Sequence, residues 1–189
     1  DDAAFRVLDP DAYERVTHHV AALVGSPPAW LRRREAELRS VLERAGVRAV
    51  SVQRRAKHAA GIHRKMVALG IDVENVQDVL AFRLIVADEP DCYRVLAALH
   101  QAFRPEHLSF KDYIAHPKPN GYRSIHTLLR AEDGTPFEVQ IRSTGMHREA
   151  EEGEAAHWRY KEAGRDDSVQ ALAAEASGVR SSSPAVNSL

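Results

Sequence analysis

The stretch Lys111-Asp112-Tyr113-Ile114-Ala115-His116-Pro117-Lys118-Pro119-Asn120-Gly121-Tyr122-Arg123-Ser124-Ile125-His126-Thr127 constrains the fold of this chain most, because it starts as a loop and ends as a strand. Two prolines and an Asn-Gly pair make its middle a fixed turn. Beyond the turn, Tyr122, Ser124, His126 and Leu128 alternate with Arg123, Ile125, Thr127 and Leu129. That period of two predicts a strand with Tyr122 and His126 on one face. A rigid loop carrying two lysines, an asparagine and an aromatic ring, and leading to a histidine, suits a phosphorylated ring compound. Lysine neutralises phosphate, and an aromatic ring stacks on a base. A hairpin loop with a solvated charge cluster fits the same composition.

Two further segments read as strands. Val79-Leu80-Ala81-Phe82-Arg83-Leu84-Ile85-Val86 is nearly continuous in apolar residues, the signature of a strand buried on both faces. An arginine inside it and Asp78 at its entry are out of place in a plain core strand, since buried charge must be paired or functional. A regular strand puts positions 78 and 83 on opposite faces. Both can serve one site if the strand bends or if Asp78 lies in the preceding turn. In the second segment Phe137, Val139 and Ile141 alternate with Glu138, Gln140 and Arg142, which buries one set and presents acid, amide and guanidinium together. A solvated face would look the same.

Taken in order, residues 1 to 46 read as helical. Asp9-Pro10-Asp11 is a cap, and Ser26-Pro27-Pro28 breaks the pattern before a charged helix from about Trp30 to Ala45. Val47 to Val52 reads as a strand running into Arg54-Arg55-Ala56-Lys57-His58, followed by a helix to Leu69 that Gly70 ends. Ile62, Met66 and Leu69 form its buried stripe, with Lys57, Gly61, Arg64 and Lys65 on another side. Basic residues at a helix start suit an anion, because backbone N–H groups add to their charge; a solvated basic face is the alternative. Glu89 to Phe103 reads as a helix with Tyr93, Leu96, Ala97 and His100 on one side. Asp133-Gly134 supplies a hairpin turn, and a last helix runs from Gly145 to about Glu162. Residues 164 to 189 are poor in large apolar side chains and are expected to be a disordered tail.

A chain of 189 residues with 44% hydrophobic and 28% charged residues accommodates one domain, expected over residues 1 to 163. A formal charge of −1 argues against a nucleic-acid binder or a membrane-surface protein. No run is long enough for a transmembrane helix. The one cysteine, Cys92, excludes an internal disulfide and reads as a buried thiol.

The motifs, in this order, resemble the synthetase domain of the RelA/SpoT alarmone family. The block from Lys111 to Thr127 is similar to the family's acceptor-nucleotide loop. Arg55 to His58 with Ile62 to Met66 is similar to its ATP-binding block, Asp78 to Arg83 to its D-x-x-A-x-R, and Glu138 to Arg142 to its E-x-Q-I-R. Met146-His147, Ala150-Glu151, Gly153 and Ala155 to Lys161 resemble its closing helix. Arg54 departs from a usual glycine, and Ala60-Gly61 from a common tyrosine-serine pair. Ser109 stands where relatives carry arginine or an acidic residue.

The resemblance implies an α/β (α+β) fold with a mixed, largely antiparallel sheet flanked by helices, as in nucleotidyltransferases. It implies an enzyme that moves pyrophosphate from ATP to the 3′-hydroxyl of a purine nucleotide. Glu138 and Asp78 would be catalytic and would hold Mg²⁺. Arg55, Lys57, Lys65 and Arg83 would bind ATP; Lys111, Lys118, Asn120, Tyr122, His126 and Gln140 would bind the acceptor. A non-catalytic nucleotide-binding module of the same family is the alternative. The motifs of a hydrolase or regulatory domain do not occur in these residues, so a stand-alone synthetase is expected. With Asp1 in place of an initiating methionine, we expect an exported, processed product in preference to a cytoplasmic one.

Overall fold

A computed structural model describes residues 2–106 and 109–152. The expected tail, and the last helix beyond Glu152, lie outside the described residues. Three helices lead: α1 (Asp2–Leu8), α2 (Pro10–Val24) and α3 (Pro27–Arg44). Asp9 separates the first two, its carboxylate accepting from the Ala12 backbone N–H at 3.0 Å while Pro10 occupies the first turn.

Strand β1 (Ser51–Ala56) follows, then α4 (Ala59–Leu69), β2 (Leu80–Val86) and α5 (Glu89–Ala102). Short strands β3 (Arg104–Pro105) and β4 (Lys111–Asp112) precede the hairpin of β5 (Ile125–Arg130) and β6 (Pro136–Ser143), and α6 (Thr144–Glu152) closes the described chain. The six strands form one sheet in the order β1-β2-β6-β5-β3, with β4 also paired to β5. The contact of β2 with β6 is parallel, and the other pairings are antiparallel. This is the mixed, largely antiparallel α/β sheet expected.

The period-two pattern sorts the two sides of the sheet. Phe82, Leu84, Val86, Phe137, Val139, Ile141, Ile125 and Leu129 are buried in the core. Helices α3 and α5 cover that side: Trp30 and Phe103 meet the Phe137 ring edge-on at 5.7 and 5.4 Å. Buried Arg34 of α3 lies over the Trp30 ring and pairs with Glu37, and the Trp30 indole N–H donates to Asp133 in the β5–β6 turn at 3.1 Å. Gly134, at φ 82°, gives that turn the left-handed backbone it requires.

Three expectations need correction. The first strand is Ser51–Ala56, later than the apolar run at Val47–Val52, because its ladder is set by the partner: Ser51 pairs with Ile85 and Ala56 with Leu80. Arg54 and Arg55 therefore lie within an edge strand, where exposed charge is tolerated and deters further pairing, and α4 starts only at Ala59. The regular strand after the central loop starts at Ile125, so Tyr122 belongs to the approach and not to the ladder. In α5 the buried face is Cys92, Val95 and Leu99, whereas Tyr93 is exposed. Burial, with Glu89, Asp88 and Asp91 nearby, pushes the Cys92 thiol up to about 12, so it stays protonated.

Candidate functional site

The face of the sheet opposite α3 and α5 carries the polar residues, and strand register aligns them. Gln53 of β1 lies opposite Arg83 of β2, Arg83 opposite Gln140 of β6, Gln140 opposite His126 of β5, and His126 opposite Lys111 of β4. The neighbouring row holds Arg55, Ala81, Glu138 and Leu128. Residues far apart in sequence thus converge because alternate positions of each strand point the same way.

Glu138 sits near the centre. Its Oε1 accepts from His126 Nδ1 at 2.8 Å, and its Oε2 accepts from Gln140 Nε2 at 3.3 Å. Burial pushes this carboxyl up, but the hydrogen bond from His126, with its charge when protonated, outweighs that push. Asp78 raises it and Gln140 lowers it, and the net position is below the ordinary value. On its other side, His126 Nε2 is 2.8 Å from the Tyr122 hydroxyl. That hydroxyl accepts from Arg142 Nη2 at 2.6 Å. Tyr122 and His126 do share one side.

Asp78 lies in the turn before β2, which removes the conflict of strand faces with Arg83. Its carboxylate meets Lys57 Nζ at 2.8 Å and Lys65 Nζ at 3.0 Å. Burial raises this group, and the charges and hydrogen bonds of Lys65 and Lys57 bring it below its ordinary value. At neutral pH both carboxylates are ionised.

The loop holds itself. Lys118 N–H donates to the Tyr122 carbonyl, Gly121 N–H to the Lys118 carbonyl, and Tyr122 N–H to Asn120 Oδ1. The Asn120 oxygen is thus occupied in shaping the turn, and its amide nitrogen is the end left for a ligand. Lys118 Nζ is 4.9 Å from the Tyr113 ring centre and 5.3 Å from that of Tyr122. Arg83 reaches Gln53 Oε1 at 3.3 Å and Glu151 Oε1 of α6 at 3.4 Å. Arg55 stands exposed on the edge strand, and Lys111 is half-buried on β4 at the opposite margin. The structure therefore gathers Glu138, Gln140, His126, Tyr122 and Arg83, with Asp78 held by Lys57 and Lys65 beside them.

Residues 54–165 match the model described as "Region found in RelA / SpoT proteins", more than half of the chain. The chain belongs to the RelA/SpoT family. It is 39% identical over 163 residues to the bifunctional (p)ppGpp synthase/hydrolase RelA of Mycobacterium tuberculosis, covering 86% of this chain and 22% of that protein. It is 38% identical over 175 residues to the bifunctional (p)ppGpp synthase/hydrolase SpoT of Escherichia coli K12, covering 93% and 25%. The chain thus spans a quarter or less of the curated relatives' length, and they lend no support to a stand-alone arrangement. Among solved structures, a GTP pyrophosphokinase family protein from Streptococcus pneumoniae superposes with a TM-score of 0.63 at 23% identity, over 86% of this chain and 93% of that one. Small alarmone synthetase 1 of Bacillus subtilis, bound to its product pppGpp, gives 0.59 at 21% identity, over 86% and 95%. These two establish the fold.

The RelA/SpoT resemblance pointed to Glu138, His126 and Tyr122 one by one but gave Arg142 no role. Its only sequence signal is the alternation that groups it with Glu138 and Gln140. Arg54, a departure from the family pattern, ion-pairs with Glu35 of α3 at 3.0 Å. At Gly61 a Cβ would come within 3.3 Å of Lys57 Cγ, so the glycine leaves room for that lysine.

Proposed function

We propose that this chain is a nucleotide 3′-pyrophosphokinase: it transfers the β,γ-pyrophosphate of ATP to the ribose 3′-hydroxyl of a purine nucleotide, releasing AMP and making products of the (p)ppGpp type. The observation that carries the reading is the central position of Glu138, an ionised, half-buried carboxylate flanked in register by Arg83, Gln140 and His126. Family membership supports it, as does a relative from Mycobacterium leprae named as a probable GTP pyrophosphokinase, 39% identical over 163 residues and matched over 21% of its length.

The acceptor's 3′-oxygen attacks the β-phosphorus as its proton passes to Glu138. The bridging oxygen keeps the electron pair of the breaking bond and leaves with AMP. Such a transfer asks little covalent chemistry of the protein, so positioning and charge neutralisation supply the rate. Arg55, Lys57, Lys65 and Arg83 take the donor. Lys57 and Lys65 exchange Asp78 for phosphate oxygens as the polyphosphate arrives. Lys111, Lys118, Asn120, His126 and Gln140 hold the acceptor, and Tyr122 stacks on its base.

Asp78 and Glu138 suit Mg²⁺, which takes one or two carboxylates together with substrate phosphates. Among the described residues no cluster of three or more acids, histidines or cysteines could hold a metal alone, so the phosphates complete the shell in this reading. When bound, Mg²⁺ supplies charge neutralisation between the phosphates.

Among the described residues no helix is long and apolar enough to cross a membrane. Export gains no support from the fold or the relatives, and drops out of the reading. Neither nucleic acid nor membrane enters it as a partner.

The test is AMP release from ATP plus GTP with Mg²⁺. Nucleotide binding with no AMP would instead establish the non-catalytic module. Stacking tolerates either purine, so GTP, GDP, ATP, ADP and AMP are all expected to serve as acceptors. A guanine preference in kcat/KM above about a thousandfold, ~4 kcal/mol, would show that contacts to the base edge decide.

A further inference from the structure

Arg142 is 2% exposed, yet among the described residues its Nε and Nη1 have no hydrogen-bond partner. The nearest carboxylate oxygen, Glu151 Oε1, is 4.0 Å from Nη1. A guanidinium this deeply buried normally satisfies most of its donors, because an unpaired buried charge is costly. Here the one strong hydrogen bond goes from Nη2 to the Tyr122 hydroxyl, and the Arg142 carbon Cζ lies 4.7 Å from the centre of the same ring.

We propose that Arg142 is a positioning residue that sets the direction of a four-member hydrogen-bond chain ending on Glu138; the catalytic part of this inference rests on the pyrophosphokinase reading. A guanidinium only donates. Its hydrogen bond makes the Tyr122 oxygen an acceptor on that side, and the hydroxyl proton turns to His126 Nε2, the acceptor within 2.8 Å. With Nε2 accepting, the ring proton is on Nδ1 and points at Glu138 Oε1. Every proton in the chain then points toward Glu138. Its Oε1 is saturated from behind, and Oε2, held only by the longer 3.3 Å contact from Gln140, faces the reaction.

The surroundings favour this polarity. Lys118 and Tyr113 flank the Tyr122 ring, and the Tyr113 ring stands edge-on to His126 at 5.3 Å. Lys111 lies opposite His126 and Arg83 opposite Gln140 in the ladder, Asp78 acts on Glu138 through its charge, and Glu151, paired also with His147, approaches Arg142. None of these groups offers the Tyr122 hydroxyl a closer acceptor than His126 among the described contacts.

The chain is tested on the whole protein with ¹⁵N-labelled histidine, the His126 signal being assigned by its loss in His126→Gln. In the wild type the tautomer protonated on Nδ1 is expected. Arg142→Met and Tyr122→Phe should convert it to a mixture or to the Nε2 tautomer, and Arg142→Lys should keep it. In turnover, Tyr122→Phe retains the stacking ring, so kcat should drop about tenfold or more while the acceptor KM stays within about threefold. An unchanged His126 tautomer in Tyr122→Phe, or a loss confined to KM, overturns the proposal. Should Arg142→Met fail to fold, Tyr122→Phe and Arg142→Lys decide. A wild type that releases no AMP overturns the pyrophosphokinase reading instead, and the tautomer measurement still decides the direction of the chain.

Discussion

The two sides of β6 are built from interleaved residues of one strand and differ in almost everything else. Phe137, Val139 and Ile141 are fully buried against α3 and α5; Glu138, Gln140 and Arg142 carry an acid, an amide and a cation on the other side. One side holds its place by area removed from water, which depends little on direction. The other is held by hydrogen bonds that specify each partner: His126 on Glu138, Tyr122 on His126, Arg142 on Tyr122. The difference separates stability from chemistry along a single strand. Substitutions one position apart should therefore fail in different ways.

The largest effect is expected from Glu138→Gln. The amide keeps the shape but loses the charge and the base, so kcat should fall on the order of a thousandfold, ~4 kcal/mol of transition-state stabilisation, with the melting temperature little changed. Phe137→Ala, next in the chain, should do the reverse. It empties the contact shared by Trp30, Phe82 and Phe103 and should cost about 3–5 kcal/mol in denaturant unfolding, with kcat per folded molecule nearly unchanged. A Glu138→Gln protein that turns over normally at saturating Mg²⁺ would remove the chemistry from this side.

Asp78 sharpens the same contrast, because it is held by charge and not by the ladder. Asp78→Asn should lower kcat about a hundredfold and leave Lys57 and Lys65 without their anion. Its stability effect carries a sign. The folded carboxyl titrates below its ordinary value, so its contribution is fully present above the ordinary carboxylate range. That contribution is lost as pH falls through the lower, folded value. The melting temperature of Asp78→Asn should thus lie a few degrees below wild type at pH 7, and the gap should close as both proteins are taken into strong acid. A gap that widened toward acid would show that Asp78 is not stabilised by its lysines.

Both sides of the sheet were legible in the sequence to the extent that they repeat. The alternation at 137 to 142, the apolar run at 79 to 86 and the capped break at Asp9 are local signals, and the fold follows them. The start of β1 was not legible, because Arg54 and Arg55 enter a strand only through the register that β2 imposes. The reach of Trp30 to Asp133, across 103 residues, and the burial of Arg142 were hidden for the same reason. A side chain's partner across the fold is set by topology, and no spacing within one segment encodes it. Family resemblance supplied candidate roles for single residues, but the chain from Arg142 to Glu138 emerges only when β5, β6 and the loop before β5 are brought together.

The smallest expected effect tests how much of the departure at Arg54 is structural. Arg54 Nε lies 3.0 Å from Glu35 Oε2, and Glu35 also accepts from Arg39 one turn along α3 at 2.7 Å. Both arginines are about half exposed, so the pairs are screened by water and salt and contribute little. Glu35→Gln should lower stability by less than about 1 kcal/mol, and most of that loss should vanish in high salt. It should leave turnover unchanged, since Arg54 points toward α3 while its neighbour Arg55 belongs to the row of Glu138. Turnover that fell with Glu35→Gln would mean that the edge strand transmits the position of Arg54 to the polar side, and that the two sides of the sheet are less independent than β6 makes them look.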